Sequence, residues 1–135
     1  YQAVDGVVQA YGPLTLTLNE LGCFPNARQP RVVWAGINEP SGQLARLAGQ
    51  LDSALAKLGY ARETRPFRPH LTLARLNERA LRSQIEALGQ ATGAYQPQPC
   101  TMTAYEVAVV RSDLRPQGPR YTDLHRAPLG GVSPH

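Results

Sequence analysis

Two prolines dictate the course of the chain over Arg65-Pro66-Phe67-Arg68-Pro69-His70-Leu71-Thr72-Leu73-Ala74-Arg75. Each fixes its own φ and drives the residue before it into extended geometry. An extended chain alternates its faces, so Leu71 and Leu73 are expected on the buried side of a strand while His70 and Thr72 project together from the other. Arg68 stands beside them, either as a phosphate contact or as a solvated charge. Three groups then converge: an imidazole that carries a proton near neutral pH, a hydroxyl donor and a guanidinium. A phosphoester site needs that set. Arg75 falls on the opposite face by strict alternation, where a structural salt bridge is its expected role.

Around this stretch the chain reads as alternating strands and helices. Val4, Val7 and Val8 have the i, i+3, i+4 spacing of a helix over residues 1–10, stopped by Gly12-Pro13. Leu14-Thr15-Leu16-Thr17-Leu18 alternates as a half-buried strand. No histidine precedes its threonines, so it does not repeat the 70–73 pattern. Residues 23–30 read as a loop with Pro25-Asn26 turn chemistry, and residues 31–37 as a short apolar strand. Ser41 is the expected cap of a helix with an apolar stripe from Leu44 to Leu58, ended by Gly59. Asn77 is expected to cap a second helix with Leu81, Ile85 and Leu88 inward, closing at Gly89. Residues 90–100 read as a loop, residues 101–110 as one strand, and the proline- and glycine-rich tail from Arg115 as irregular. Strands and helices in this order, with few parallel crossover units, make an α+β fold.

Composition excludes more than it selects. A length of 135 residues fits one domain, and 42% hydrophobic with 18% charged residues is ordinary for a globular protein. No run of 18 apolar residues exists to cross a membrane. The two cysteines, Cys23 and Cys100, are far apart and without metal-ligand spacing, so a reduced pair in the cytoplasm is expected. The three histidines are scattered and no carboxylates are suitably paired, so no metal site is expected. A net charge of +4 is carried almost entirely by arginine, with Lys57 the one lysine. That balance fits a polyanionic partner or a bias in genome composition equally well. Phe24, Trp34, Tyr105 and Tyr121 could stack on bases, but strand aromatics are more often core, and Trp34 is expected there.

Phe67-Arg68-Pro69-His70-Leu71-Thr72-Leu73-Ala74-Arg75 resembles the second His-x-Thr-x motif of the 2H phosphoesterase superfamily, in its branch of RNA 2',3'-cyclic phosphodiesterases, also called 2'-5' RNA ligases. Leu21-Gly22-Cys23-Phe24-Pro25-Asn26 and Pro30-Arg31-Val32-Val33-Trp34-Ala35-Gly36 are similar to the segment between that family's two motifs. Ser112-Asp113-Leu114-Arg115-Pro116-Gln117-Gly118-Pro119-Arg120-Tyr121 resembles its C-terminal signature. The resemblance implies a bilobal α+β fold: two pseudo-symmetric antiparallel sheets backed by helices, with a central cleft and one motif from each lobe. Residues 1–135 would then form a single bilobal domain, its first lobe incomplete and lacking an N-terminal segment.

The same resemblance implies metal-independent hydrolysis of RNA 2',3'-cyclic phosphate ends to 2'-phosphate, with possible reversible 2'-5' ligation. It implies no cofactor, a monomer as the working state, no membrane partner, and RNA with a 2',3'-cyclic phosphate or 2'-5' linkage as substrate. His70 corresponds to the general base and Thr72 to a phosphate donor, with Arg68 and Tyr121 as substrate contacts. The first motif, whose histidine would be the acid, does not occur in this sequence, and a fragment of a longer polypeptide is the expected explanation. His125 and His135 lie outside any such motif. The alternatives are a non-catalytic module that binds RNA ends, and a phosphodiesterase acting on another cyclic nucleotide.

Overall fold

The computed structural model describes residues 1–26, 28–76, 79–95 and 98–131. Its elements in order are α1 (Gln2–Val8), β1 (Leu14–Phe24), β2 (Val32–Asn38), α2 (Gln43–Ala56), β3 (His70–Arg75), α3 (Arg82–Ala94), β4 (Cys100–Ala104), β5 (Glu106–Arg115), β6 (Gly118–Pro128) and a short 3-10 turn at Leu129–Gly131. The strands form a four-stranded sheet in the order β3-β2-β1-β4 and a two-stranded sheet of β5 and β6. The expected α+β class with antiparallel sheets is what the chain adopts. Among the described residues no helix is long and apolar enough to cross a membrane.

The chain divides into two compact units. One comprises residues 1–15, 41–66 and 103–135. Helix α1 packs on α2 and β6, and Val4, Val8, Leu14, Leu47, Ala127 and Leu129 are buried. Fully burying a valine or leucine side chain stabilises by roughly 1.5–3 kcal/mol, so this cluster is a substantial part of what holds the unit together. Tyr11 donates its hydroxyl to Gln50 Oε1 at 2.7 Å, joining the end of α1 to α2. The apolar stripe of α2 buries at Leu47 but leaves Leu58 62% exposed. Gly59 ends the helix as expected: its φ is +99°, and the N–H groups of Gly59 and Tyr60 bond the carbonyls of Ala56 and Leu55, the pairing of a Schellman cap. Gly42 takes the N-cap position instead of Ser41. The Ser41 hydroxyl accepts the Gln43 N–H at 3.3 Å, one turn position early.

The tail from Arg115 is not irregular. It turns through Pro116-Gln117 and returns as β6, in register with β5 from Arg115↔Gly118 to Glu106↔Pro128. Proline at the first loop position and glycine closing the turn suit a tight reversal, and Gly118 takes a φ of +118°. Pro119 and Pro128 are tolerated because each strand of a two-stranded ribbon has an outer edge where no N–H is needed. The strand expected over residues 101–110 is two strands, broken at Tyr105.

The second unit holds residues 16–40 and 67–102. Strand β1 runs on to Phe24, past the expected end at Leu18, and pairs with β2 along its length. Leu16, Val33, Ala35 and Ile85 are buried here. The expected helix cap Asn77 lies outside the described residues. Helix α3 starts at Arg82, and its first turn is fastened by Gln84 Oε1, which accepts the Leu81 N–H at 3.0 Å. Gly89 is buried within α3 and does not end it.

Candidate active site

Strand β3 begins at His70, as the paired prolines predict, and lies antiparallel to β2 at the edge of the sheet. His70 is in register with Gly36 and Thr72 with Trp34. Partners across a ladder share a face, so His70, Thr72, Trp34 and Gly36 project together. The β1 residues Gly22 and Glu20, in register with Trp34 and Gly36, share that face as well.

Two expectations for β3 fail, both because of its position and shape. Leu71 and Leu73 are 46% and 54% exposed, not buried. As the edge strand, β3 is flanked by β2 alone, which covers little of their side chains. Arg75 is the second correction. The register shifts by one residue between Val33 and Trp34, leaving Leu73 without a partner in β2. That bulge reverses the alternation beyond it. Arg75 pairs with Val32, two residues from Trp34, and so joins the face of His70 and Thr72. No ion pair holds it among the described residues.

The imidazole of His70 is fixed on two sides. Its Nδ1 is 2.7 Å from the carbonyl oxygen of Arg68. A carbonyl only accepts, so Nδ1 carries the proton and the neutral ring keeps its lone pair on Nε2. The Phe24 ring meets the imidazole edge-on at 5.2 Å between centroids, and Trp34 does so at 6.3 Å. Phe24 and Trp34 are themselves 5.2 Å apart. Together they line a cavity of about 380 Å³ whose wall also includes Glu20, Phe67, Arg68 and His70.

Two glycines make this packing possible. A Cβ at Gly22 would run into the benzene half of the Trp34 indole, and one at Gly36 would meet the Glu20 side chain. The indole therefore lies flat across β1, half-buried beside His70 rather than in the core. Its Nε1 is buried and meets no acceptor among the described residues.

Of the four residues predicted for the site, His70 and Arg68 border this cavity. Thr72 shares the strand face of His70 through its register with Trp34. Tyr121 lies in the other unit, on β6 opposite Ser112, and is 57% exposed. Glu20 and Phe67 were not anticipated. Glu20 is two residues from Gly22 and four from Phe24 on one alternating strand, a signal hidden by ending that strand at Leu18. His125 belongs to the other unit, where its Nε2 is 2.8 Å from Asp5 Oδ1 and its ring stacks on Tyr1. Among the described residues no three His, Cys, Asp or Glu side chains cluster as metal ligands.

The signature of the 2'-5' RNA ligase superfamily matches residues 2–116. The chain belongs to the 2'-5' RNA ligase superfamily. Within it, the chain is similar to an RNA 2',3'-cyclic phosphodiesterase of Methanothermobacter thermautotrophicus, with 34% identity over 122 residues, 90% of this chain and 64% of that protein. One of Aeropyrum pernix is 32% identical over 117 residues, covering 82% of this chain and 61% of its own. The chain thus spans less than two thirds of these superfamily members. Solved structures agree on the fold. TT0787 of Thermus thermophilus superposes with a TM-score of 0.68 at 27% identity, covering 98% of this chain and 71% of its own. Escherichia coli LigT complexed with 3'-AMP gives 0.62 at 29% identity, covering 95% and 67%.

Proposed function

We propose that this protein opens 2',3'-cyclic phosphates at RNA ends, leaving a 2'-phosphate and a free 3'-hydroxyl, without a metal ion. One observation carries the reading: the Nδ1–H of His70 is donated to the Arg68 carbonyl, which makes Nε2 the basic nitrogen of the neutral ring in the second His-x-Thr-x motif. A base in that tautomer deprotonates water. The water oxygen forms a bond to phosphorus, the P–O3' bond breaks, and O3' takes a proton from a second group. Thr72 and Arg68 hold the non-bridging oxygens and stabilise the charge that develops there. Curated relatives named as RNA 2',3'-cyclic phosphodiesterases support the assignment.

The acid is not assigned to His125, whose ring is engaged by Asp5 and Tyr1. With a 5'-hydroxyl in place of water, the same attack forms a P–O5' bond as P–O3' breaks and leaves a 2'-5' linkage, so ligation uses the same groups. Free thiols at Cys23 and Cys100 support a reducing, cytoplasmic setting, and a monomer is the proposed working state.

The test supplies the full chain with a short RNA ending in a 2',3'-cyclic phosphate in the presence of chelator. Conversion to a 2'-phosphate end is expected, and His70→Ala should lower it by roughly 10²-fold or more, the contribution of one general base. Binding without turnover would replace this reading with an RNA-end-binding module. Turnover restricted to cyclic mononucleotides would move the substrate to another cyclic nucleotide.

A further inference from the structure

The unit that carries His70 has a second cavity, and arginine is the commonest residue in its wall. It is an open cavity of about 690 Å³ between the β1–β2 connection and α3, and its wall includes Arg28, Gln29, Arg31, Arg82, Ile85, Glu86 and Gln90. Three guanidinium groups face one carboxylate, an excess of two positive charges. Glu86 is paired with Arg82 at 3.3 Å, but the two side chains are 57% and 92% exposed. An ion pair so exposed is worth little and yields readily to a stronger anion. Arg28 and Arg31 have no ion pair among the described residues.

The backbone beneath these arginines is held in place. Asn26 Oδ1 accepts the N–H groups of Arg28 at 2.9 Å and Gln29 at 3.0 Å. Arg31 donates its N–H to the Phe24 carbonyl and accepts the Leu76 N–H on its own carbonyl, both at 2.8 Å. The connection is therefore tied to β1 at one end and to the segment after β3 at the other. A fixed backbone presents guanidinium forks at a lower entropic cost than a loose loop would. The connection also joins the two cavities. Phe24 at its start touches the His70 ring, and the arginines that follow line the second cavity.

We infer that this arginine-lined cavity binds backbone phosphates of a single RNA strand, away from the end that reacts. Guanidinium forks match phosphate oxygens two at a time, and the Gln29 and Gln90 amides can hydrogen-bond sugar or phosphate. The arginine side chains are exposed rather than enclosed, which suits a strand passing through better than a small molecule being swallowed. The inference rests on the RNA reading of the His70 site, so its test must separate the two.

The probe is a short single-stranded RNA with an ordinary 3'-hydroxyl, which offers phosphates but nothing to hydrolyse. Its affinity for the full chain is measured by fluorescence anisotropy over a range of salt concentrations. Each phosphate contact adds about 0.7 to the slope of log K against log salt for single strands. The double variant Arg28→Ala/Arg31→Ala should therefore lower the slope by about 1.4 and weaken binding roughly tenfold at low salt. Arg28→Lys/Arg31→Lys should keep most of the slope, which guards against a folding defect. Hydrolysis of a cyclic mononucleotide should be unchanged in the alanine variant. Equal slopes for the unaltered and alanine proteins overturn the inference. So does an equal loss on the mononucleotide, which would place the arginines at the reacting end. Displacement of RNA by pyrophosphate at matched phosphate concentration would also overturn it, by making the cavity a small-anion site. If the unaltered protein hydrolyses nothing yet the slope still falls, the phosphodiesterase reading fails and this one stands.

Discussion

Replacing Gly22 with alanine sets a Cβ against the indole of Trp34, at distances that real Cβ atoms do not show. The atoms in the way are Cζ2, Cη2 and Cε2, the rigid benzene half of the ring. The clash is not relieved by bending the end of a flexible chain. The indole must tilt off β1, away from Phe24 and His70. Overpacking of this kind costs about 1–3 kcal/mol, which for a chain of this size lowers Tm by roughly 3–5 °C per kcal/mol. Trp34 is the one tryptophan, so the displacement has its own optical signal: emission from Gly22→Ala should shift to the red. A double-mutant cycle completes the test. Phenylalanine at position 34 lacks the colliding ring and also removes the buried Nε1, which meets no acceptor among the described residues. In a Trp34→Phe background Gly22→Ala should then cost less than about 0.5 kcal/mol, leaving a coupling of about 1–2 kcal/mol by urea unfolding followed by circular dichroism. Equal costs in the two backgrounds would refute the claim that the glycine exists to seat the indole.

Phe24→Leu removes the ring edge that meets His70. If the cavity seats a base against Phe24 and Trp34, KM for a cyclic mononucleotide should rise about tenfold with kcat little changed, since stacking is worth about 1–3 kcal/mol per base; an unchanged KM would dismiss the cavity as the base site. Away from the site, Glu63 accepts hydrogen bonds from the Arg65 side chain and N–H at 3.0 Å, which hold its carboxyl down at about 2. Because the folded value lies below the unfolded one, the pair's contribution is complete above the ordinary value of 4.5 and is lost as pH falls from there towards 2. An NMR titration of the Glu63 carboxylate should show a midpoint near 2 that returns towards the ordinary value in Arg65→Ala.

The parts of the fold legible in the sequence are those where one local rule acts alone. Gly59 ends α2 because a glycine at positive φ closes a helix whatever packs around it. His70 opens β3 because Pro66 and Pro69 leave the chain no other course. Legibility is lost where two rules compete. Prolines in the tail argued for irregular backbone, but the outer edges of the β5–β6 ribbon have no N–H to lose, so Pro119 and Pro128 sit in strand without penalty. Gly22 and Gly36 carry no such mark of their role: both lie within strands and serve by having no Cβ.

The site follows the same division, and Arg75 shows why. Alternation is a rule of period two, so one extra residue inverts every later assignment. The sequence His-Leu-Thr-Leu-Ala-Arg carries no glycine or other mark of a bulge at Leu73, and counting alone puts Arg75 behind the sheet. The mark is in the partner strand: Trp34 must lie flat over Gly22, and the register of β3 slips beside it. A residue on β1 thus accompanies the face that an arginine on β3 takes, two strands away. The consequence for function is direct. A bulge that turns Arg75 towards the face of His70 and Thr72 adds a cation to the side where a cyclic phosphate would be held. A salt bridge behind the sheet would have left that face with Arg68 alone.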